Sequence, residues 1–153
     1  GYERFIEFMN SFAIEIGMNN SSFKDATGLS SKNVSNAKDL FLLAQYMYKN
    51  EKSLLEITKR KEMIFSTTTD HGLHNFKSIN PFVYYEPFIG GKTGRTEEAK
   101  ESMISLFNFK SNNQIASTTA STTYPIAIII LRSGFGIREI DTEIILDKLS
   151  KKI

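Results

Sequence analysis

The nine residues Phe88-Ile89-Gly90-Gly91-Lys92-Thr93-Gly94-Arg95-Thr96 mark the point at which the chain changes from helical to strand patterning. Before Pro87, apolar residues recur mostly at three- and four-residue spacing, which is typical of helices packed on a core. From Phe88 onward, short apolar runs alternate with polar turns, which indicates strands. We predict three successive strands, over Phe88–Thr93, Ser102–Phe109 and Tyr124–Ser133.

The third of these strands contains an unbroken apolar run, from Ile126 to Leu131. A strand that is apolar on both faces is usually covered on both, so we expect it in the centre of the sheet. A polar, Ser/Thr-rich hairpin loop of unusual length, Lys110–Thr123, precedes it. A closing helix from about Ile137 to Lys151 is predicted to bury four apolar residues, Ile140, Ile144, Ile145 and Leu149.

The first part of the chain has the pattern of helices. An amphipathic helix ends near Gly17, and its inward residues are Tyr2, Phe5, Ile6, Met9, Phe12, Ala13 and Ile16. A polar loop, Asn19–Val34, leads to Ser35, which we expect to cap the N-terminus of a second helix. A short third helix over Ser53–Thr58 precedes a β-rich segment, Glu62–Thr69.

Helices followed by antiparallel strands and a covering helix predict an α+β fold. The helical part covers 1–60, and the strands with the C-terminal helix cover 61–153. At 153 residues and 41% apolar composition, with twelve Phe and six Tyr, the chain fits one domain or a large piece of one. A net charge of +2 without a stripe of Lys or Arg argues against nucleic acid as a partner. The absence of cysteine excludes disulfides and thiolate metal sites.

Four segments, in this order along the chain, carry a family resemblance. The first is Phe8–Met18 with Ser22–Leu29, the second is Ser35–Leu40, the third is His74-Asn75 with Gly90–Thr96, and the fourth is the apolar strand with Arg138. In these segments the chain resembles the D-alanyl-D-alanine carboxypeptidases, which are penicillin-binding serine peptidases related to the β-lactamases. A lone Lys-Thr-Gly is weak evidence, but these segments extend over essentially the whole chain.

The resemblance implies part of the β-lactamase and D,D-peptidase (penicillin-recognising) fold. Residues 1–153 would form part of a single D,D-peptidase- or transpeptidase-like domain, with a helical region, the C-terminal antiparallel strands and the closing helix. The parent reaction would be hydrolysis of a D-Ala–D-Ala bond through an acyl-enzyme.

The resemblance also implies a substrate-binding strand at Lys92-Thr93-Gly94. Stem peptides of peptidoglycan end in a D-Ala carboxylate, to which Lys92 would offer positive charge and Thr93 a hydroxyl. Gly94 would let the ligand backbone lie along the strand. The backbone N–H of Arg95 would form half of an oxyanion hole, and its guanidinium could hold the carboxylate. Lys92 and Arg95 are thus the catalytic candidates, and the substrate-binding candidates are Lys92, Thr93, Gly94, Arg95, Thr96 and Asn75.

Two further motifs of the family are expected before Lys-Thr-Gly, namely Ser-x-x-Lys for the nucleophile with its base, and Ser-x-Asn. Four strings match by letter, and we reject them all: Ser21-Ser22-Phe23-Lys24, Ser35-Asn36-Ala37-Lys38, Ser31-Lys32-Asn33 and Ser111-Asn112-Asn113. An activated Ser needs a desolvated Lys beside it on a helical turn. These strings instead lie in polar loops, at a helix cap or after Lys-Thr-Gly. We therefore expect a fragment that is inactive alone and forms no acyl-enzyme.

The implied ligands are the peptidoglycan pentapeptide and β-lactams. The N-terminal half is expected as a partner chain, or in a swapped or dimeric arrangement, because the strand at Ile126–Leu131 would otherwise be an apolar edge. The resemblance implies a place outside the cytoplasm, in a bacterial cell envelope, with any membrane anchor in parts that this chain does not contain.

No metal or organic cofactor is implied. His71 and His74 lie near Asp70, but we expect them in a Gly-containing loop without a further ligand nearby in sequence. Two alternatives remain open for the function: a β-lactamase-related hydrolase, and a non-catalytic module that binds peptidoglycan or penicillin.

Overall fold

A computed structural model describes residues 1–67, 72–110 and 123–151. Its helices are α1 (Tyr2–Glu15), α2 (Ala37–Asn50), α3 (Lys52–Lys59) and α4 (Arg138–Ser150), with a 3-10 turn at Pro81–Tyr84. Its strands are β1 (Glu62–Ser66), β2 (Leu73–Lys77), β3 (Phe88–Thr96), β4 (Lys100–Lys110) and β5 (Thr123–Ser133). The predicted α+β class is confirmed. No helix in the described ranges is long and apolar enough to cross a bilayer.

Strands β3, β4 and β5 form one antiparallel sheet in that order. The β3–β4 register places Thr93 opposite Met103 and Arg95 opposite Glu101. Strands β1 and β2 form a separate antiparallel hairpin sheet. The sequence predicted β1 but not β2. His74 lies on β2 and not in the expected loop. His71, Asp70 and the residues 111–122 of the long hairpin loop lie outside the described residues.

Among the described residues, β4 is central and β5 lies at an edge of this sheet, so the expectation that β5 is central is wrong for the described sheet. Its two faces are nevertheless covered. On one face Ile126, Ile128 and Ile130 pack in the same core cluster as Leu146 of α4. On the other face Ala127 packs with Ala44 of α2. The apolar run is thus explained by the helices that pack on the two faces of the strand. It does not predict whether another strand lies beside β5.

Helix α4 closes the main core, but not through all four predicted residues. Leu146 is buried, and Ile145 and Leu149 pack against the cluster around Phe88, Met103 and Phe107. Ile140 and Ile144 are each 48% exposed, so the prediction that they are buried is wrong. They lie one turn apart on the side of the helix that faces away from the sheet, since residues four apart share a face.

Two loop features of the N-terminal part follow from local backbone chemistry. Gly17 has φ of +89° directly after α1, so the expected positive-φ helix end is confirmed. The cap of α2 is Asn36 and not Ser35, because the Asn36 side chain accepts a hydrogen bond from the backbone N–H of Asp39 at 2.9 Å. The Ser35 hydroxyl instead lies 2.7 Å from the hydroxyl of Ser21.

Candidate substrate-binding site

Helix α3 fixes the start of the candidate strand through two glycines. The backbone N–H of Gly91 donates a hydrogen bond to the Thr58 hydroxyl at 3.1 Å. Gly90 has φ of +149°, and a Cβ there would lie 2.9 Å from the same hydroxyl. A Cβ at Gly91 would overlap the backbone oxygen of Ile104. The Gly-Gly pair therefore lets strand β3 pass close to α3 and β4 immediately before Lys92.

The predicted residues Lys92, Thr93, Gly94 and Arg95 come together in one cleft of about 500 Å³. The lining is completed by Glu101 and Arg138, and by a group from two loops, Thr27, Gly28, Leu29 and Ile79. One wall is thus the end of β3, and the facing wall comes from the loop that follows α1. The cleft brings together groups separated by as many as 111 positions in the sequence, from Thr27 to Arg138.

The side chains of Lys92 and Thr93 differ sharply in exposure. Thr93 is 7% exposed, whereas Lys92 is exposed to the cleft. The Lys92 ammonium donates a hydrogen bond to the backbone oxygen of Thr93. Within the described residues no carboxylate forms an ion pair with Lys92. The cleft therefore contains a cation whose charge is not compensated by a described protein carboxylate.

Gly94 leaves an open space in the cleft wall. A Cβ at this position would meet no atom within 4 Å, in contrast to Gly90 and Gly91. The fold itself therefore does not require a glycine at 94. The space above its backbone is available to a ligand, because no side chain fills it.

Two charged residues of the cleft were not among the sequence candidates. Glu101 is only 5% exposed, and its carboxylate lies 4.0 Å from the Arg95 guanidinium and 3.8 Å from that of Arg138. Arg138 also donates a hydrogen bond to the Gly94 carbonyl oxygen at 3.1 Å. Glu101 could be predicted to lie opposite Arg95 only once the length of the β3–β4 turn is known, because that length sets the register of the two strands. Arg138 served in the sequence only as a marker of the resemblance.

Thr96 and Asn75 lie away from this cleft. The Thr96 hydroxyl accepts a hydrogen bond from the backbone N–H of Ala99 at 3.0 Å, within the turn that joins β3 to β4. Asn75 lies on β2, where its side-chain amide is 3.5 Å from a Glu62 carboxylate oxygen. Neither is among the described residues that line the cleft. In the described ranges no group of three or more His, Asp or Glu residues could hold a metal ion.

The loop that forms the facing wall is organised by Asp25. Its carboxylate accepts hydrogen bonds from the side chains of Thr27 and Asn33 and from the backbone N–H groups of Leu29 and Ser30. These hydrogen bonds, of which that from Thr27 is the strongest contributor, lower the pKa of Asp25 to about 2. A carboxylate at the centre of such a loop holds Thr27, Gly28 and Leu29 against the cleft.

Two of the letter matches to Ser-x-x-Lys have structural roles. The Ser21 hydroxyl donates to the buried carboxylate of Asp39 at 2.8 Å, and the Ser35 hydroxyl contacts that of Ser21. Burial alone would raise the pKa of Asp39, but hydrogen bonds from Ser21, Asn20 and Asn36 lower it. Lys24 and Lys38 are exposed. Neither string therefore places a desolvated Lys beside its Ser; Ser111-Asn112-Asn113 lies outside the described residues.

Comparison with solved structures shows the class of protein that this fold defines. The structure is similar to a penicillin-binding protein D2 from Listeria monocytogenes in its ampicillin-bound form, with a TM-score of 0.72 and 29% sequence identity. The match covers 94% of this chain and 54% of the other. The fold is thus the penicillin-recognising D,D-peptidase fold, as the resemblance implied.

Residues 1–122 match the D-alanyl-D-alanine carboxypeptidase family, and the chain belongs to this family. It is 40% identical over 140 residues to a D-alanyl-D-alanine endopeptidase of Escherichia coli, covering 89% of this chain and 40% of that protein. It is 34% identical over 99 residues to the D-alanyl-D-alanine carboxypeptidase DacF of Bacillus subtilis, covering 64% of this chain and 25% of that protein. The chain therefore spans half or less of the length of these curated relatives.

Proposed function

We propose that this chain supplies the substrate-binding wall of a serine-type D-Ala-D-Ala carboxypeptidase that acts on peptidoglycan stem peptides. The observation that carries the proposal is the cleft in which Lys92, Thr93, Gly94 and Arg95 converge. The match of residues 1–122 to the D-alanyl-D-alanine carboxypeptidase family supports it. Residues 1–153 would form part of a single D,D-peptidase-like domain.

Each group of the cleft has a role in this proposal. The uncompensated charge of Lys92 attracts the terminal carboxylate of a D-Ala-D-Ala ligand, and Thr93 offers a hydroxyl to it. The open space at Gly94 admits the ligand backbone as an added strand. The Arg95 backbone N–H contributes to an oxyanion hole, which stabilises the negative charge that develops during acyl transfer. Thr96 and Asn75 remain candidate contacts for the more distant part of the ligand.

The nucleophile is proposed to come from outside this chain. A Ser with a desolvated Lys base would attack the D-Ala–D-Ala carbonyl carbon, release D-Ala and form an ester that water hydrolyses. In the described part of the chain, the first serines of the two Ser-x-x-Lys strings, Ser21 and Ser35, have hydroxyls that form structural hydrogen bonds. The chain alone is therefore proposed to bind ligand without turning it over, and β-lactams would bind to the assembled site.

A second part of the proposal concerns the partner of β5. This strand forms the edge of the described sheet, and on the side away from β4 it pairs with no described strand. We propose that the N-terminal half of the domain occupies it, either as a partner chain or in a swapped or dimeric arrangement of copies. The cell envelope of a bacterium, outside the cytoplasm, is the proposed place of action, because the family to which the chain belongs acts on cell-wall peptides.

A titration of the isotope-labelled chain with N-acetyl-D-alanyl-D-alanine, followed by nuclear magnetic resonance, tests the proposed function. We expect the amide signals of Lys92 to Arg95 to shift, and the L,L stereoisomer to shift them much less. Thr93→Val, which keeps the side-chain volume but removes the hydroxyl, should weaken binding about tenfold. Equal binding of both stereoisomers, or shifts confined to other residues, would contradict the proposal.

A further inference from the structure

The cleft proposed to bind a carboxylate contains a carboxylate of its own. Glu101 stands at the start of β4, directly after Lys100, whose φ is +58°. The pairing of β4 with β5 is irregular between Glu101 and Met103. An irregularity of this kind turns a side chain away from the regular alternation of the strand. Here the carboxylate lies in the cleft lining, although the residue is only 5% exposed.

The two oxygens of Glu101 contact different elements. One accepts a hydrogen bond from the backbone N–H of Gly136 at 2.9 Å and lies 3.8 Å from the Nε atom of Arg138. The other lies 4.0 Å from an Nη atom of Arg95. Glu101 therefore joins the strand that carries the candidate site to the turn before α4 and to α4 itself.

The two arginines differ in what remains available to a ligand. The Arg138 side chain is 12% exposed and contacts Glu101, Glu139 at 2.8 Å and the Gly94 carbonyl oxygen at 3.1 Å. The Arg95 side chain is 58% exposed, and its guanidinium lies 4.3 Å from the centre of the Phe135 ring. Arg138 is thus contacted by two carboxylates and a carbonyl oxygen, whereas the more exposed Arg95 contacts the Phe135 ring and one Glu101 oxygen at 4.0 Å.

We infer that Glu101 determines which cation of the cleft receives the ligand. Together with Glu139, its buried charge holds Arg138 beside the Gly94 carbonyl oxygen and leaves Arg95 and Lys92 for the carboxylate of the ligand. Of the three cations that line the cleft, Arg138 is thereby neutralised, and Lys92 and Arg95 remain for the terminal carboxylate of the ligand. This inference rests on the proposed function and adds to it the residue that sets the charge specificity. Arg138 is then a positioning residue.

The test compares two ligands that differ in one charge, N-acetyl-D-alanyl-D-alanine and its C-terminal carboxamide. The ratio of their affinities, measured by calorimetric or resonance titration of the chain, reports how the terminal carboxylate is recognised. The variants are Arg95→Gln, Glu101→Gln and the combination of both. Glu97→Gln is the matched control, because it removes the same charge from an exposed residue of the adjacent turn.

For the unaltered chain we expect a carboxylate preference of about tenfold, as is usual for a charge-assisted hydrogen bond. Arg95→Gln should remove most of this preference. Glu101→Gln should increase it several-fold, because Arg138 then shares its charge with one described carboxylate, Glu139, instead of two, and the cleft gains one net positive charge. In the double variant Arg138 should restore part of the preference that Arg95→Gln removes. Glu97→Gln should leave the ratio unchanged, since an exposed charge is screened by water.

Two results would overturn the inference while the proposed function stands. One is that Glu101→Gln weakens both ligands equally and leaves their ratio unchanged, which is the signature of a purely structural role. The other is that the double variant shows no recovery. If Glu101→Gln does not fold, Arg138→Lys provides the test, because it should leave the ratio unchanged, and a lost preference would identify Arg138 as the ligand cation. If the unaltered chain binds neither ligand, the proposed function and this inference fall together.

Discussion

The side chain of Asn10 on α1 holds the backbone of Phe23 by two hydrogen bonds. Its carboxamide oxygen accepts from the Phe23 N–H at 2.8 Å, and its amide group donates to the Phe23 carbonyl oxygen at 2.8 Å. This pair fixes the first part of the loop whose later residues, Thr27 to Leu29, line the candidate cleft. A residue of the first helix thereby supports the facing wall of the site.

Asn10→Ala should destabilise the fold, because it leaves both partly buried Phe23 backbone groups without a partner. The expected cost is about 1–3 kcal/mol in the free energy of unfolding. Urea unfolding measured by circular dichroism checks this value. The matched control is Ser11→Ala, which removes an exposed hydroxyl that donates to the Glu7 carbonyl oxygen, and which should change stability little. Equal effects of the two substitutions would contradict the role assigned to Asn10.

Substitution by alanine should affect the free energy of unfolding very differently at two glycines of β3. Gly91→Ala places a Cβ on the backbone oxygen of Ile104, which belongs to the sheet ladder and cannot move freely. We expect a loss of about 1–3 kcal/mol in the free energy of unfolding, as for other overpacked sites. Gly94→Ala meets open space and should stay within about 0.5 kcal/mol of the unaltered chain.

In the ligand titration, by contrast, Gly94→Ala should have a clear effect. Its methyl group occupies the space that we propose for the ligand backbone, so ligand affinity should fall while thermal stability is kept. Thermal unfolding and the N-acetyl-D-alanyl-D-alanine titration, measured on the same samples, check both parts. A Gly94→Ala variant that binds as well as the unaltered chain would exclude close approach of the ligand at this position.

The carboxyl group of Asp25 should titrate with a pKa of about 2, because Thr27, Asn33 and two backbone N–H groups donate to its ionised form. Its pKa in the unfolded chain is about 3.9, so its contribution to stability is present above that pH and is lost as pH falls toward 2. Resonance titration of the carboxyl carbon measures the pKa directly. Asn33→Ala should raise it toward the unfolded value, and Asp25→Asn should remove this part of the acid dependence of stability. A pKa near 4 in the folded chain would contradict the loop arrangement.

The edge of β5 should make the isolated chain associate. Leu131, which is 40% exposed on this strand, should promote contact between copies, and Leu131→Lys should shift the chain toward monomer, since a charged residue on an edge strand opposes pairing. Sedimentation velocity over a range of concentrations measures the effect. Leu54→Lys on α3 is the control, because Leu54 is similarly exposed at 45% but lies on a helix. A chain that is monomeric at all concentrations would argue against an unpaired edge.

Fluorescent penicillin should not label the isolated chain covalently. Ser21 is bonded to Asp39 and Ser35 to Ser21, and neither has a desolvated Lys as a base. A denaturing gel after incubation checks this expectation, with a full-length penicillin-binding protein as the positive control. A labelled band that is lost in Ser21→Ala or Ser35→Ala would show that the chain contains its own nucleophile.

Sequence patterning alone determined the elements whose residues interact with near neighbours. The helix α1, the positive φ after it at Gly17, and the strand that contains Lys92, Thr93 and Gly94 were all predicted. The expected inward side of α1 is wrong at Tyr2 and Phe5, which are 58% and 53% exposed. These features depend on spacing within a few residues, on which backbone geometry acts directly. The family resemblance was also visible at this level, because it rests on motifs in a fixed order.

Tertiary structure decided where these elements meet. The apolar run of β5 reflects the helices on its two faces, so it could not show that the strand lies at an edge. Ile140 and Ile144 match the helical spacing of a buried face but are each 48% exposed, because α4 packs on the core through Ile145, Leu146 and Leu149. The contact of Glu101 with Arg138 needs the β3–β4 register, the irregular start of β4 and the position of α4 together. The substrate strand could therefore be predicted from its own residues, whereas the charge balance around it arises only from long-range packing.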